Sequence, residues 1–459
     1  MKLQLITPKH TEKGCPTNVA RPPIGLEVLS ASVEQRFRQK GLNIEIEIID
    51  GELIDEYDIK KMINADVVGF SSLFSNHKGC LKLAEYAKDK GAKIVFGGPN
   101  TTFLAERILK NNTFIDWVVR GDGEDALARL LMGDAPEDIP NLVYRFKSKI
   151  HTNKNVDIDV NLEPLFSLEH LISKEKYFES DEPHPICCIR GCAKACKMGR
   201  CIYCVSTATG LRTLNPERVW AQIRELNQQY GIHSFFEAGD SFLVEIPNPK
   251  TRQMELYPKL LLDSKPPDLD VSFRIYERAD AITKERLVLL KSVGVNKIFI
   301  GFEHCDPKIQ KAANRLAVGV DIWKVLDVLK EAEMDTILAL MFGLPGETLE
   351  TATGNLNFLK KVVKEYDNIK TYYLSIPVPL PGSTLFSRIE SDEGLVKEYN
   401  KHGYDINKDD VFDYNLLTQL SISKFCHVSL ADLNAVLQEA RSTAQNSRTV
   451  SNFGDARLL

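Results

Sequence analysis

The sequence contains no apolar run that approaches the ~20 residues a membrane span needs. Its first residues, MKLQLITPKH, hold no apolar signal-peptide core. Acidic and basic side chains nearly balance, at 63 against 58 with a formal net charge of −5, so no basic surplus points to nucleic acid or to an anionic membrane. These absences argue against a membrane-spanning, secreted or nucleic-acid-binding protein.

Cysteine is also scarce, with ten among 459 residues, but six of the ten lie between Cys187 and Cys204. A chain with so little cysteine outside one cluster is not a secreted disulfide scaffold, and a reducing cytoplasm fits it. Several thiolates on one flexible loop can converge on a soft metal or an iron–sulfur cluster. The cysteines alone leave a structural zinc site and an iron–sulfur cluster both open, because both accept these ligands.

The first ~140 residues alternate strand-like and helix-like segments, within a chain long enough for two or three domains. The strand-like segments are 2–7, 43–50, 65–71, 93–97 and 117–119, and the helix-like segments are 26–40, 79–90 and 100–109. Short continuous apolar runs of this kind are typical of a buried parallel sheet. The pattern predicts a doubly wound, Rossmann-like α/β sheet that binds ligands beyond the carboxyl ends of its strands.

A second alternating series follows the cysteines. Its strands are predicted at 232–238, 271–276, 297–302, 336–341 and 371–376, and its helices at 215–230, 283–293, 321–332 and 348–366. Repeated βα units of this length predict a partial β/α barrel, with its chemistry at the carboxyl ends of the strands. We therefore expect an α/β domain at 1–139, a linker at 140–182, a barrel at 183–395, and a C-terminal segment at 396–459 that is helical and then disordered.

The first domain carries four motifs in order: PPIGLEVLSA, DVVGFSS, FGGPNTT and VVRGDGEDAL. Together they resemble the cobalamin-binding domain found upstream of many radical SAM domains, over most of residues 1–132. The resemblance implies cobalamin contacts from the turns that follow the strands, at Ser71, Ser72, Gly97, Gly98, Gly121 and Glu124. The alternatives are that each glycine only closes its turn, and that the same sheet binds no cobalamin.

Two positions depart from that family. The histidine that usually follows Gly-Gly-Pro is Asn100 here, and the D-x-H-x-x-G loop that supplies a cobalt-ligating histidine in other cobalamin proteins is absent. His10 lies in the first loop, but in a different pattern. We expect that no protein histidine fills the lower axial position of a bound cobalamin.

Residues 186–385 resemble a radical SAM domain, through six motifs in the family's order. These are RGC at 190–192, CIYC at 201–204, FFEAGDSF, RAD at 278–280, IGFEHCDPKIQKAANR and FGLPGET. The resemblance implies a [4Fe–4S] cluster with three thiolate ligands, whose free iron chelates S-adenosylmethionine and cleaves it to a 5′-deoxyadenosyl radical. We assign the cluster to Cys192, Cys201 and Cys204.

The spacing of the cysteines departs from the usual Cys-x3-Cys-x2-Cys. Eight residues separate Cys192 from Cys201, and Cys196 lies between them as the main rival to Cys192. The Elongator-type radical SAM enzymes also lengthen this interval. Cys187 and Cys188 lie in an apolar run, PICCI, and are expected at buried strand positions.

The same resemblance assigns S-adenosylmethionine contacts outside the cysteines. Tyr203 is expected beside the adenine, and Gly239 with Asp240 near the methionine amine. Arg278 would pair with the methionine carboxylate, and Glu303 would bind the ribose hydroxyls. The Gly343–Gly346 turn, through Gly343 and Pro345, would contact the edge of the adenine. The alternative for Glu303 and Arg278 is a mutual or neighbouring salt bridge at the barrel rim.

These resemblances imply a cytoplasmic radical SAM enzyme that methylates an unactivated carbon with cobalamin. The enzyme alternative is a radical cyclase, oxidase or rearrangement enzyme, with or without cobalamin. The alternative from another class is a non-catalytic cobalamin or iron–sulfur sensor. Its partners would be a small-molecule or peptide substrate and an electron donor such as a flavodoxin or ferredoxin, and the sequence names neither the substrate nor a catalytic residue.

Overall fold

The computed structural model describes residues 1–11, 21–179, 181–207, 210–248, 251–315, 319–445 and 449–453. The chain forms two compact units, and each unit combines stretches that are distant in sequence. The first unit contains Met1–Glu182 and Val396–Phe412, and the second contains Pro183–Cys204, Gly210–Leu395 and Asp413–Leu459.

A seven-stranded sheet forms the core of the first unit, in the order β2-β1-β3-β4-β5-β6-β7. Its strands are β1 Lys2–Thr7, β2 Glu45–Asp50, β3 Val67–Ser71, β4 Lys93–Gly97, β5 Trp117–Val119, β6 Leu142–Phe146 and β7 Lys149–Thr152. Strands β1 to β5 pair in parallel, and β6 and β7 are added antiparallel. The predicted Rossmann-like parallel sheet is confirmed.

Five helices accompany this sheet. They are α1 Ile24–Gln39, α2 Glu56–Met62, α3 His77–Asp89, α4 Pro99–Asn111 and α5 Glu124–Leu131. Strands β3 and β4 are buried along most of their length, at Val67–Phe70 and Ile94–Phe96, because both faces of a parallel sheet are covered. The carboxyl ends of β3, β4 and β5 are neighbours in the sheet, so the turns that follow them meet at one edge.

Residues 140–182 were expected to be a linker, and the structure makes them part of the first unit instead. The β6–β7 hairpin extends the sheet, and the buried Leu142 and Val143 lie within its core. Leu171 pairs with β2 through an isolated bridge to Ile48. The second strand of the hairpin, Lys149–Thr152, is short and nowhere fully buried, so it gives little apolar signal in the sequence.

The second unit is built on a seven-stranded parallel sheet in the order β18-β17-β16-β15-β14-β11-β8. Its strands are β8 His184–Ile186, β11 Ser234–Glu237, β14 Ser272–Arg278, β15 Val295–Glu303, β16 Asp335–Met341, β17 Ile369–Ser375 and β18 Thr449–Phe453. The order has two ends, as the predicted partial β/α barrel requires. Two small antiparallel pairs complete the strands: β9 Ile189–Arg190 with β10 Arg212–Thr213, and β12 Glu245–Pro247 with β13 Met254–Leu256.

The remaining helices are α6 Ala193–Met198, α7 Pro216–Tyr230, α8 Tyr257–Asp263, α9 Lys284–Val293, α10 Pro307–Ala312, α11 Ile322–Glu331, α12 Leu349–Glu365, α13 Thr384–Glu390, α14 Glu393–Asn400, α15 Tyr414–Phe425 and α16 Leu430–Gln445. Within the described ranges, none of the helices is long and apolar enough to cross a bilayer.

The C-terminal segment differs from its prediction in two ways. Val396–Phe412 returns to the first unit, and β18 adds a parallel strand beside β17 where disorder was expected. The helical part of the prediction corresponds to α14, α15 and α16. Residues 454–459 of the tail predicted to be disordered lie outside the described residues.

Candidate functional site

The cysteine loop lies at the carboxyl side of β8 in the second unit. Cys192 stands at the N-terminal end of α6, and Cys201 and Cys204 share a tight turn in which the Cys204 N–H donates to the Cys201 carbonyl at 3.0 Å. All three are partly exposed. The rival ligand Cys196 lies inside α6 and is exposed, and its N–H donates to the Cys192 carbonyl at 3.0 Å.

Cys187 and Cys188 lie between β8 and β9, and not within a strand as predicted. Cys188 is buried and Cys187 is partly exposed. Burial raises the pKa of the Cys187 thiol to about 12 and that of Cys188 well above its ordinary value, and Glu237 contributes to both shifts. Without a bound metal, both thiols therefore stay protonated at neutral pH.

Across the described ranges, no three His, Cys, Asp or Glu side chains converge closely enough to hold a single metal ion. This result bears on a mononuclear site such as structural zinc, in which all ligands meet one ion. An iron–sulfur cluster is larger, and each of its thiolates binds a different iron. The three partly exposed cysteines are therefore compatible with a cluster.

A buried carboxylate that the sequence analysis did not single out holds the loop against β11. Glu237 accepts hydrogen bonds from the backbone N–H groups of Cys188 at 2.9 Å and Gly239 at 3.0 Å. Burial raises the pKa of Glu237 to about 7. The signal for it in the sequence is one acidic residue inside the otherwise apolar run FFE.

Gly239 and Asp240 follow β11, as predicted. A Cβ on Gly239 would lie 2.6 Å from the Glu237 carboxylate and 2.7 Å from the Ile189 carbonyl, so only glycine allows this contact. Asp240 is exposed at the same edge. The pair thus lies at the carboxyl end of its strand, next to the chain that enters the cysteine loop.

Arg278 ends β14 and pairs with Asp280 at 3.0 Å, which is the neighbouring salt bridge that the alternative anticipated. Its Nη1 is buried and has no hydrogen-bond partner among the described residues. A buried guanidinium donor without a partner is costly, and a ligand carboxylate would satisfy it. The salt bridge and a ligand contact are therefore compatible.

Glu303 ends β15 with a φ of 73°, in the left-handed region that a non-glycine residue rarely adopts. Its carboxylate lies 3.4 Å from the guanidinium of Arg315, so a neighbouring salt bridge is present here too. Burial raises the pKa of the Tyr203 hydroxyl well above its ordinary value, and the charge of Glu303 raises it further. Tyr203, Glu303 and Arg315 thus form one buried group beside Cys201.

The Gly-Leu-Pro-Gly turn after β16 lies close to Tyr203, since both Tyr203 and Leu344 belong to one apolar cluster. The N–H of Gly343 donates to the Glu347 carboxylate, so this donor is not available to adenine as the resemblance implied. Pro345 is buried in the turn. The turn is therefore fixed by the protein itself before any ligand binds.

A fully buried His304–Glu347 pair, which the sequence analysis missed, ties β15 to this turn. His304 Nε2 donates to Glu347 at 2.8 Å, while its Nδ1 accepts from the Asp306 N–H at 2.9 Å. Asn355 adds a second tie, accepting from the Cys305 N–H at 3.1 Å and donating to the Met341 carbonyl at 3.1 Å. The ends of β15 and β16 are consequently held in register.

In the first unit, the turns after β3, β4 and β5 are joined by hydrogen bonds. The Ser72 N–H donates to the Gly97 carbonyl at 2.8 Å, and the Gly121 N–H donates to Thr102 Oγ1 at 3.0 Å. Ser71 ends β3, and Glu124 is buried at the first turn of α5. The structure thus brings the predicted turn residues of this unit to one edge.

The two glycines after β4 differ in the space around them. A Cβ on Gly98 would lie 2.8 Å from the Ser72 carbonyl oxygen, and its φ is +101°, so this residue is required by the backbone. A Cβ on Gly97 would meet nothing closer than the Val119 carbonyl at 4.0 Å. Gly97, and not Gly98, is therefore the position at which added bulk would report on a ligand.

Two buried polar side chains at this end of the first unit have no partner among the described residues. They are Asn100, through its Nδ2, and Glu27, through both carboxylate oxygens. Burial, and then the charge of Asp50, raises the pKa of Glu27 well above its ordinary value. Unsatisfied buried groups of this kind fit a site that is completed by an amide-bearing ligand.

His77, which the sequence analysis did not consider, lies at the same edge. Its Nδ1 is 2.8 Å from Ser72 Oγ and its Nε2 is 3.2 Å from Asp410, so both ring nitrogens are engaged within the unit. His10 is hydrogen-bonded to Ser75 at 2.7 Å.

Two protein-family models match different parts of the chain. The model of the B12 binding domain matches residues 20–131, and the model of the Radical SAM superfamily matches residues 186–359. The chain is a radical SAM protein with a B12-binding domain. The cofactors of such a protein are a [4Fe–4S] cluster, S-adenosylmethionine and cobalamin.

Similar proteins cover much of the chain. A Pyrococcus horikoshii protein named as an uncharacterized methyltransferase is 26% identical over 411 residues, covering 84% of this chain and 82% of that protein. The anaerobic magnesium-protoporphyrin IX monomethyl ester cyclase of Cereibacter sphaeroides is 22% identical over 322 residues, covering 68% of this chain and 50% of that protein.

Among solved structures, the radical S-adenosylmethionine methyltransferase TsrM from Kitasatospora setae, with cobalamin and a [4Fe–4S] cluster bound, superposes with a TM-score of 0.66. The two chains are 16% identical, and the match covers 84% of this chain and 75% of that chain. This likeness concerns the fold, and it extends over both units of the radical SAM protein described here.

Proposed function

We propose that this radical SAM protein methylates an unactivated carbon of a small molecule or peptide, with cobalamin as the methyl carrier. The observation that carries the proposal is the joining, in one chain, of a B12-binding domain and a radical SAM domain that each retain a fitting site. The similarity to a protein named as a methyltransferase supports it. Bound together, the cluster and S-adenosylmethionine supply a radical, and cobalamin supplies the methyl group.

The residues proposed to act on S-adenosylmethionine lie at the carboxyl edge of the second sheet. Arg278 would bind the methionine carboxylate through its unpartnered Nη1. Glu303, with its charge balanced by Arg315, would accept the ribose hydroxyls. Tyr203 and the Gly343–Gly346 turn would flank the adenine through apolar contact with Leu344.

Cluster ligation is proposed for Cys192, Cys201 and Cys204. Cys196 remains the rival of Cys192, because one turn of α6 separates the two and Cys196 is the more exposed. In the first unit, the turns at Ser71–Ser72, Gly97–Gly98 and Gly121–Glu124 are proposed to hold cobalamin. The unpartnered Asn100 amide supports this placement.

An acidic electron carrier such as a flavodoxin or ferredoxin is the proposed reductant. Residues 193–204 and 307–315 each contain three basic side chains and no acidic one, in a chain whose net charge is −5. Lys197, Met198, Lys308 and Lys311 are exposed on these two segments. Opposite charge speeds encounter with a partner, and salt weakens it.

Reduction of the cluster by an acidic flavodoxin should therefore slow as ionic strength rises. The double variant Lys197→Glu with Lys311→Glu should be reduced more slowly than wild type at low salt. Lys370→Glu, an exposed change of the same kind elsewhere in the unit, serves as the control. Equal rates for the double variant and the control would refute this docking surface.

We also place the enzyme in the cytoplasm, where reduced thiols persist. Nine cysteines form no disulfide among the described residues, and the cysteine loop is partly exposed. An oxidising compartment would convert such thiols to disulfides.

The proposal is tested by anaerobic reconstitution with cobalamin and with S-adenosylmethionine carrying a deuterated methyl group. Host metabolites and peptides are then examined by mass spectrometry. Methylation predicts a product that gains the labelled methyl group, together with 5′-deoxyadenosine. Formation of 5′-deoxyadenosine without any labelled product would contradict methylation.

A radical cyclase is the second candidate, favoured by the similarity to the magnesium-protoporphyrin ester cyclase. The same experiment distinguishes the two. A cyclase would yield a product that has lost hydrogen and gained no label, whereas methylation adds the label.

A further inference from the structure

The longer cysteine loop is held by the residues that follow α10. The Ile202 N–H donates to the Ala313 carbonyl at 3.2 Å. Asn314 Nδ2 donates to the Arg200 carbonyl at 2.7 Å, and Lys194 Nζ donates to the Asn314 carbonyl at 2.5 Å. Residues 313–315 thus run along the loop and fasten it at three points, which we call the α10 brace.

Arg315, the last residue of the α10 brace, reaches from the loop into the S-adenosylmethionine side of the site. Its Nη1 donates to Cys201 Sγ at 3.6 Å, and its Nη2 donates to the Gly301 carbonyl at 2.6 Å. The same Nη2 lies 3.4 Å from the Glu303 carboxylate. One guanidinium therefore contacts a proposed cluster thiolate and the proposed ribose-binding carboxylate.

The surroundings make this contact strong. The side chains of Arg315 and Glu303 are only 11% and 10% exposed, so water screens them little. A Cβ on Gly301 would lie 3.0 Å from both Arg315 Nη2 and the Glu303 carboxylate, which explains a glycine at this point of β15. A lysine could not make the same contacts, because it lacks the planar fork.

We propose that Arg315 is a positioning residue that sets the reduction potential of the cluster and orients Glu303 toward the ribose. This inference rests on the proposed ligation by Cys201. A cation that donates a hydrogen bond to a cluster thiolate stabilises the added electron and raises the potential. The same cation compensates the buried charge of Glu303, which would otherwise be costly to hold in place.

The test measures the midpoint potential of the reconstituted cluster by paramagnetic resonance, without S-adenosylmethionine. Arg315→Gln should shift the potential to a more negative value, because the cation is lost. Glu303→Gln should shift it to a more positive value, because Arg315 is then unopposed. Lys324→Gln removes an exposed cation elsewhere in the second unit and should leave the potential unchanged, since solvent screens it.

A second readout is the dissociation constant for S-adenosylmethionine, which Arg315→Gln should raise about tenfold. Arg315→Lys keeps the charge and should retain most of the potential while still weakening cofactor binding. If Arg315→Gln does not take up a cluster, the potential of Glu303→Gln and the dissociation constant of Arg315→Lys decide the matter. An unchanged potential in Glu303→Gln, shifts of the same sign for the two Gln changes, or normal cofactor affinity in Arg315→Lys would overturn the proposal.

A separate measurement tests whether Cys201 is a cluster ligand. Cys201→Ala should lose the cluster altogether, as iron and sulfide content would show. If Cys201→Ala retains a full cluster, the assignment of Cys201 is wrong whatever Arg315 does.

Discussion

The two units differ in the polar groups that lie at the carboxyl edges of their sheets. In the second unit the carboxyl edge of the sheet is charged: Arg315 pairs with Glu303, and Arg278 pairs with Asp280. In the first unit the corresponding turns are joined mainly by backbone hydrogen bonds, and beside the His77–Asp410 pair the neutral Asn100 amide has no partner among the described residues. A charged ligand needs compensating charge, whereas a bulky amide-rimmed ligand needs open space and hydrogen-bond donors.

This difference corresponds to the two cofactors. S-adenosylmethionine carries a carboxylate, an amine and a sulfonium, and the thiolate cluster adds negative charge. A corrin is large and is surrounded by amide side chains. Each edge is therefore adapted to the chemistry of its own ligand, so substitutions at one edge should leave ligand binding at the other edge unchanged.

The largest expected effect is loss of the cluster in the second unit alone. Cys201→Ala and Cys204→Ala should each abolish iron and sulfide binding, because a thiolate ligand is removed. Cobalamin uptake by the first unit should persist in both variants. Iron, sulfide and corrinoid content measured on one anaerobic preparation tests both statements.

Cys196→Ala is the matched control, since it removes a neighbouring thiol from the same loop. It should leave the iron and sulfide content unchanged. A loss as large as that caused by Cys204→Ala would transfer the third ligand from Cys192 to Cys196.

The reciprocal change addresses the first unit. Gly97→Val should prevent cobalamin binding, because the added side chain fills space that the protein leaves open. Titration followed by absorbance measures the binding, and cluster content should match wild type. Normal cobalamin affinity in Gly97→Val would show that the corrin does not approach this turn. Gly98 is unsuitable for this test, since any side chain there strains the backbone.

A smaller effect is expected from the residue that Val396–Phe412 brings to the first unit. Asp410 accepts hydrogen bonds from His77 at 3.2 Å, Asn111 at 2.9 Å and Asn112 at 2.8 Å. Asp410→Ala leaves the buried His77 Nε2 without its acceptor, while the Asn111 and Asn112 amides keep their bonds to the Lys408 and Ile108 carbonyls. The free energy of unfolding should fall by about 1–3 kcal/mol. Denaturant unfolding measures this, with Asn407→Ala, an exposed change in the same segment, as control. A change no larger than that of the control would contradict the role of Asp410.

The same contact predicts a dependence on acid. Burial favours the protonated carboxyl of Asp410, but the hydrogen bonds from His77 and Asn111 outweigh it and lower the pKa overall. A lowered pKa in the folded state means that the stabilisation is present above the usual pKa near 4 and is lost as pH falls below it. Wild type should therefore lose more stability than Asp410→Ala between pH 5 and pH 3.

The smallest effect concerns the affinity for S-adenosylmethionine. Glu303→Gln should weaken binding by about 1–3 kcal/mol, the range for hydrogen bonds to a charged group. Equilibrium binding to cluster-loaded protein measures it, and Glu350→Gln, an exposed change on α12, is the control. An unchanged dissociation constant would show that Glu303 does not bind the cofactor and only forms a structural salt bridge with Arg315.

Much of the fold could be predicted from the sequence, because buried parallel strands are short apolar runs that stand out against their neighbours. The strand at 93–97 and the one at 117–119 were found where they were predicted. The β6–β7 hairpin and β18 were missed. The second strand of the hairpin is short and nowhere fully buried. Strand β18 is short and lies in a polar tail, and its pairing with β17 depends on the rest of the sheet.

Among the residues of the candidate sites, only those that belong to sequence motifs could be predicted. Glu303 and Gly239 belong to contiguous patterns, and local spacing places them at strand ends. Arg315, His77 and Asp410 act through partners that are 12 to 333 residues away in sequence. No periodicity or spacing encodes such contacts, since they arise only when the chain has packed.

The most direct test of the account is the cofactor content of one anaerobic preparation, followed by addition of S-adenosylmethionine and a reductant. The account predicts about four irons and four sulfides per chain, an equimolar amount of cobalamin, and release of 5′-deoxyadenosine. Zinc without labile sulfide, or a cluster-loaded protein that takes up no cobalamin, would contradict it.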